Sequence, residues 1–421
     1  MADSKIKILI VSRTPWNETN SFGNTFTNLF KGMANVELAN ICCQGGGMDN
    51  QLIEEAYQIS DKNVAKSVLG YRSGHIIKNG IKNIESSKPN VPRRTIFYIL
   101  REVIWIAGRW KSKELKKFIA NFNPDILYLP IYRSHYMCKI DEFVIKQTQV
   151  PYIIHISDDV YNYAPKLSFW NKIIQNFIRK DIRRIAQRAE YGEVFSSQMA
   201  IEYKEIFNIP FHTIGKSVDI TLIPPIPQNI DRTVTLFVYT GNYGGERGLQ
   251  LINLAKCIDE TFPKGEAKFE IYSTSKADNG IECQLRNISC VQLMGSVSSD
   301  KVPKIQRHAD YLIHVEGFTL DAIYESRLSF STKIVDYLIA GRPIIAIGPQ
   351  EVTSIQVLKK HEMAFVATDT TQLKGIISQI ASGNTDNTIK INNGRSYLLN
   401  YRNSDKMKND MYQRFRQVLK Q

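Results

Sequence analysis

Apolar residues recur along this chain in short dense runs separated by longer amphipathic stretches, the pattern of buried parallel strands alternating with helices. Lys5 to Ser12 is the first run. A polar loop holding Pro15, Asn17, Asn20, Ser21 and Gly23 follows, then helical spacing through Phe26, Leu29, Phe30 and Met33. Val36 to Cys43 predicts a second strand, and Gly45-Gly46-Gly47 a mobile turn. Residues 50 to 92 are polar with little apolar periodicity and predict an irregular, lid-like excursion. Further strands are expected at Asp125 to Pro130, Tyr152 to Ser157 and Val194 to Ser197, then a helix through Met199 and Tyr203, with Ile214 to Asp219 closing this half. The whole is a doubly wound α/β pattern.

Ile223-Pro224-Pro225-Ile226-Pro227 interrupts it, because three prolines in four residues resist both helix and sheet. The alternation then restarts with a strand from Thr233 to Tyr239, a glycine-rich loop from Gly241 to Gly248 and a helix from Leu249 to Ile258. Strands follow at Lys268 to Tyr272, Val291 to Gly295 and Tyr311 to Val315, with a helix from Val302 to His308 before the last. The expected organisation is a first doubly wound domain over residues 1–222, a linker over 223–232 and a second over 233–395. A C-terminal helix over 396–421 is placed to cross back to the first domain. Two such halves imply a cleft between them.

The most informative stretch is Ser331-Thr332-Lys333-Ile334-Val335-Asp336, which ends at Gly341-Arg342-Pro343 and is followed by Ile344-Ile345-Ala346-Ile347-Gly348. Hydroxyls cap a helix start, Gly341 and Pro343 stop it, and the Ile-rich run reads as a buried strand. A lysine in a first turn opposes the helix dipole unless an anion is there too. Free N–H groups, hydroxyls and an ammonium suit a phosphate, and Asp336 one turn deeper suits a ribose. A packing helix with a solvated lysine reads the same residues equally well in isolation.

Charge and composition narrow the classes. With 43% hydrophobic and 23% charged residues the chain buries real cores, and 421 residues fit two or three domains at ~150 residues each. The net charge of +13 points to an anionic partner. Two basic stretches carry much of it. Residues 93 to 120 read as a helix apolar over most of its girth with basic ends; residues 166 to 188 set Trp170, Ile173, Ile174, Phe177 and Ile178 among Lys172, Arg179, Lys180, Arg183 and Arg184. Each fits a core helix or one at an anionic membrane surface. The basic stretches are laced with aliphatics and match no nucleic-acid module, which ranks nucleic acid low. The six cysteines lack metal-site spacing and read as reduced thiols, and no metal ligand set is expected. Neither a signal-peptide core nor a run of ~20 apolar residues is found, so the expected location is cytoplasmic, peripheral on the inner membrane face.

Taken together these motifs resemble the GT-B glycosyltransferases, and within them the family 4-like enzymes of bacterial polysaccharide biosynthesis. The fold so implied is α/β, with two facing Rossmann-like domains. The resemblance is strongest from Thr233 to Gly348. Gly241, Gly244, Gly245, Arg247 and Gly248 match the glycine-rich loop, which implies that Arg247 contacts the donor diphosphate; Asn242 stands where relatives usually carry a second basic residue. Asp336, five residues before Gly341, matches the ribose-binding acid. The commonest form of the family pairs two glutamates, but the first position here is Leu328, and Glu316 with Glu325 is offset from the turn and is not equated with that pair. Ser331, Thr332 and Lys333 instead match a Ser-Thr-Lys variant whose residues contact phosphate.

In the first domain Ser157-Asp158 stands where relatives place a His-Asp pair, making Asp158 or Asp159 the candidate base, with loop-capping as the alternative role. Asn17, Ser21 and Gly23 form the candidate acceptor-side loop. The resemblance implies transfer of a hexosyl or N-acetylhexosaminyl group from a nucleotide diphosphate sugar, a UDP-sugar, to a glycan acceptor; with no metal cluster evident in the sequence, turnover is expected to be metal-independent and without a cofactor. In relatives that build capsule and similar polymers the acceptor is lipid-diphosphate-linked. A protein acceptor, a non-catalytic GT-B-like partner subunit and a sugar-nucleotide epimerase are the rival readings.

Overall fold

The computed structural model describes residues 5–80, 95–228, 233–274 and 279–420, with no side-chain account of 95–99 and 279. The chain divides into two compact units: Met1–Tyr163 with Leu167–Lys216 and Asp405–Gln421, and Ala164–Lys166 with Ser217–Ser404. The division at Lys216 precedes the proline-rich stretch, so 223–228 counts with the second unit, and 229–232 lies outside the described residues.

The first unit runs β1 (Ile6–Ser12), α1 (Ser21–Phe30), β2 (Val36–Cys42), β3 (Glu55–Gln58), α2 (Asp61–Ser67), β4 (His75–Lys78), α3 (Thr95–Ala107) and α4 (Lys113–Phe122). It continues through β5 (Ile126–Pro130), α5 (His135–Thr148), β6 (Tyr152–Ile156), α6 (Phe169–Ala186), β7 (Gly192–Val194), α7 (Ser197–Phe207) and β8 (Phe211–Thr213). The sheet order is β4-β3-β2-β1-β5-β6-β7-β8, parallel except for β3 with β4. Ile8, Leu9, Ile10 and Val11 are fully buried, as expected of a strand covered on both faces.

Three expectations change here. Residues 50–80 are not an irregular excursion: Ala56, Tyr57 and Val64 are buried and build β3 and α2, elements too short to register as a period. Residues 81–92 lie outside the described set. The basic stretch after 93 is not one helix, because Ser112 caps a new one by accepting from the Leu115 N–H, so α3 and α4 are separate. The strand expected at Val194 to Ser197 ends at Val194, since Ser196 accepts from the Met199 N–H as the cap of α7.

The second unit runs β9 (Thr235–Thr240), α8 (Glu246–Thr261), β10 (Ala267–Tyr272), α9 (Asn279–Arg286), β11 (Val291–Gly295), α10 (Val302–His308) and β12 (Tyr311–Val315). After α11 (Leu320–Ser326) come α12 (Thr332–Ala340), β13 (Ile344–Ile347), α13 (Thr353–Lys360), β14 (Phe365–Ala367), α14 (Thr370–Ala381) and α15 (Thr388–Tyr401). Its six strands pair in parallel in the order β11-β10-β9-β12-β13-β14. The expected single C-terminal helix is two: after α15 the chain breaks at Arg402, and α16 (Ser404–Val418) buries Met411, Phe415 and Val418 in the core of the first unit.

Each sheet reverses its winding once, between β1 and β5 and between β9 and β12. In open α/β sheets ligands bind beyond the carboxyl ends of the strands at such a reversal. Those two edges are where the chemistry is to be sought.

Candidate functional site

In the second unit the β9 end passes into a turn over Gly241 to Gly245, and α8 starts beside it. Gly245 has φ +60°, a conformation that favours glycine, and caps α8 without a side chain. The Asn242 carboxamide oxygen accepts from the Gly244 N–H at 2.8 Å, and the Asn242 carbonyl accepts from the Tyr239 hydroxyl at 2.5 Å. Asn242 therefore shapes the loop. Tyr239, beneath it, has its ring 5.4 Å from the Lys333 ammonium. That ammonium lies directly against Gly241, in the space a Cβ there would need.

Lys333 comes from the first turn of α12. Ser331 is the cap residue but its hydroxyl makes no capping bond, and its own N–H donates to Ser354 Oγ at 3.0 Å. Thr332 is exposed and Asp336, one turn further, is half-buried. The helix ends as expected at Gly341, with φ +68°. Burial lowers the Lys333 pKa to about 8, Arg247 adding to the shift and Glu316 opposing it.

Arg247, in the first turn of α8, sends Nη2 to Glu316 Oε2 at 3.0 Å. Glu316 is the first residue past β12, so the pair spans the reversal between β9 and β12. Burial acts to raise the Glu316 pKa, but His314, with Nε2 3.4 Å from Oε1, and Arg247 outweigh it and hold the carboxyl at about 2. The sequence reading does not equate Glu316 with the family's glutamate pair because of its spacing, and the structure places its carboxylate against Arg247. The short helix α11 lengthens the connection, so counting back from Gly341 lands on Leu328, a core residue 1% exposed. The signal that finds Glu316 is its place at a strand's carboxyl end.

Gly241, Asn242, Gly244, Arg247, Lys333 and the α12 start thus converge on one edge of the second unit, joined by Glu316, His314 and Tyr239. The arrangement offers a guanidinium, a buried ammonium and an uncapped helix N-terminus, a set of donors for a diphosphate.

In the first unit Asp158 and Asp159 follow β6. The Asp159 carboxylate accepts from the Tyr161 and Asn162 N–H groups, from Tyr203 Oη at 2.8 Å and from Asn162 Nδ2 at 3.0 Å, while its carbonyl accepts from Arg133. It is a loop knot. Asp158 is exposed, and the protein around its carboxyl, with the Asp159 charge, raises its pKa. Beneath them the fully buried His155 bridges Ser157 Oγ at 2.9 Å and Tyr128 Oη at 3.3 Å, and Tyr128 donates to Glu193. Burial lowers the His155 pKa to about 3, so it is neutral.

The acceptor-side loop is organised by its own packing. A Cβ on Gly23 would meet the Asn17 backbone, so the close approach there is of the chain itself. Asn17 Oδ1 accepts from the Thr19 N–H and hydroxyl, and Ser21 is the exposed first residue of α1, behind its cap Asn20.

No protein-family model and no curated protein matches the chain. Solved structures do. Sucrose-phosphate synthase from Thermosynechococcus elongatus superposes with a TM-score of 0.65 at 13% identity, over 98% of this chain and 99% of that one. A glycosyltransferase from Rickettsia africae gives 0.63 at 14%, over 99% of each chain. Anabaena HepE, solved with UDP, gives 0.63 at 10%, over 98% of this chain and 100% of its own. Likeness at this level of identity establishes the fold: two Rossmann-like units of the GT-B type.

Proposed function

We propose that the chain transfers a sugar from a nucleotide diphosphate sugar to a hydroxyl of a glycan acceptor, the second unit taking the donor and the first the acceptor. The observation that carries this is the convergence of Arg247 and Lys333 on the Gly241 turn beside Glu316, at the winding reversal of the second sheet. Positive charge placed there stabilises the diphosphate as the bond to the anomeric carbon breaks and charge develops on the leaving group. Asp336 is assigned to the ribose and the start of α12, through Ser331 and Thr332, to phosphate.

UDP is the proposed nucleotide, in keeping with the UDP complex of HepE. Asp158 is the proposed acceptor of the hydroxyl proton, because the Asp159 lone pairs are committed to its loop. Arg247 and Lys333 supply the countercharge that a metal ion supplies in other transferases, and turnover without metal or cofactor is proposed.

A place in cell-surface polysaccharide synthesis, at the inner membrane face, is supported by α6. Phe169, Trp170 and Phe177 are exposed on it beside the exposed Lys172, Lys180 and Arg183. Such a face suits anionic lipid. Among the described residues no helix is long and apolar enough to cross a membrane.

The test is a thermal-shift and calorimetric screen of nucleotide diphosphates and their sugars against the wild type, Arg247→Ala and Lys333→Ala. The expected result is stabilisation by one nucleotide class, reduced in both variants. Indifference to every nucleotide removes the donor-site assignment.

A further inference from the structure

The first unit carries a second cationic feature that the donor reading does not use. A pocket of about 440 Å³ opens between the end of α3 and the first turns of α5. Trp105 and Tyr136 form its inner wall, their rings stacked with centroids 4.4 Å apart. Trp105 and the adjoining Trp110, which also lines the pocket, are each held through the indole N–H, as Trp105 Nε1 donates to Asp61 at 2.6 Å and Trp110 Nε1 donates to the Trp105 carbonyl at 2.9 Å. The wall is therefore rigid before anything binds.

Its rim is basic. Arg109 and Lys111 are exposed, and among the described residues neither has a carboxylate within ion-pair distance. The Lys111 ammonium is instead 5.2 Å from the Trp110 ring and 5.9 Å from the Phe143 ring. Lys139 completes the rim; it shares Glu142 and Asp181 with Arg184 and His135, so the acids there are already divided among several bases. Arg101 lies 5.3 Å from the Tyr136 ring. Like charges gathered on a fixed apolar wall repel one another, and an anion relieves that repulsion.

Position gives the pocket its meaning. His135 and Tyr136 begin α5, which follows β5 at the carboxyl edge of the sheet, beside the reversal between β1 and β5. The helix start itself is already closed by Glu102, which accepts from Ser134 Oγ at 3.0 Å and from the Tyr136 N–H at 2.8 Å. An anion must therefore be held by the side chains of the rim.

We infer that this pocket binds a phosphate group carried by the acceptor, gripped by Arg109, Lys111 and Lys139 with the adjoining moiety against the aromatic wall. The word acceptor rests on the transferase reading; the phosphate site does not. A multiply charged oxyanion suits three cations lining one pocket better than a neutral glycan hydroxyl does.

The test uses the full chain saturated with UDP, which fills the other phosphate site. Glucose 6-phosphate represents a soluble phosphate, dodecyl phosphate below its micelle concentration a lipid-borne one, and glucose the neutral control. Binding is followed by calorimetry and tryptophan fluorescence, which reports the first unit because all four tryptophans lie in it. At least one phosphate is expected to bind and glucose not to. The double variant Arg109→Ala/Lys111→Ala is expected to weaken that binding about 100-fold while leaving UDP binding intact.

Binding of glucose 6-phosphate assigns a soluble phosphorylated acceptor, and binding confined to dodecyl phosphate assigns a lipid-borne one. Silence toward both phosphates, or equal affinity in the wild type and the double variant, overturns the inference. Should UDP itself fail to bind, the titrations proceed without it. A phosphate response that depends on Arg109 and Lys111 then keeps the pocket while the donor reading falls.

Discussion

Arg247 Nη2 lies 3.0 Å from Glu316 Oε2, so the cation proposed to hold the donor diphosphate already has an internal counter-ion, just past the carboxyl end of β12. The carboxylate is the buried member, its side chain 6% exposed against 42% for the arginine. Arg247→Ala therefore strands a buried charge as well as removing a phosphate ligand. A cost of ~1 to 3 kcal/mol is expected, moderated by the arginine's exposure. Adding Glu316→Gln removes the stranded charge. The double variant is expected to regain most of the lost melting temperature and none of the UDP affinity, a split that scanning fluorimetry and calorimetry resolve together. Recovery of both would show that Arg247 serves only to neutralise Glu316.

Lys333 gives a pH dependence whose sign is fixed by burial. Its folded pKa is about 8 against 10.5 for an ordinary lysine. Between those values the unfolded chain binds the additional proton, so this group makes folding more favourable as pH rises through the window. Diphosphate binding needs the ammonium and runs the other way. UDP affinity is expected to be flat from pH 7 to pH 8 and to fall about ten-fold per unit above it, until the pKa of the complex is reached. Lys333→Arg keeps its charge throughout and is expected to lose the slope. A wild-type affinity unchanged from pH 7 to pH 10 contradicts the assignment.

What could be read from the chain alone follows from what has local causes. The α12 helix was legible because its glycine stop and flanking strand are contiguous in sequence, and the Gly241 to Gly248 loop because turns demand particular residues. The Arg247–Glu316 contact was not legible, since it comes from strand order and the insertion of α11 hid the spacing of Glu316. Likewise Gly23 carried a ligand-approach signal that the Asn17 backbone satisfies. Elements of four to seven residues such as β3 and α2 are held by tertiary burial of Ala56, Tyr57 and Val64, and no window of periodicity shows them.

The two neighbouring aspartates of the first unit are expected to separate cleanly. Asp158→Asn leaves an exposed position isosteric, so the fold should be unchanged while kcat falls about 100-fold or more if its carboxylate takes the acceptor proton. Asp159→Ala deletes the acceptor of four hydrogen bonds and is expected to lower the melting temperature by several degrees, at about 1 kcal/mol for each bond. Transfer rates of Asp158→Asn at saturating donor and acceptor, set beside melting curves of both variants, check the pair. An unaltered kcat in Asp158→Asn removes it as the base.

α16 is fastened within the first unit through Glu193. Glu193 is fully buried; one carboxylate oxygen accepts from Tyr128 at 2.6 Å and the other pairs with Arg414 of α16 at 2.9 Å. Removing the arginine leaves that charge buried with one neutral donor, a change that costs ~3 to 5 kcal/mol. Arg414→Met is expected to show this as a lower denaturation midpoint in tryptophan fluorescence, which reads the first unit. Combining it with Glu193→Gln removes the charge and keeps the Tyr128 bond, so most of the loss should return. The hydrogen-bond chain from Glu193 through Tyr128 and His155 to Ser157 makes a second readout available. If α16 helps to set the β6 end where Asp158 begins its loop, Arg414→Met lowers kcat at temperatures well below its melting point, and the double variant restores stability more fully than kcat.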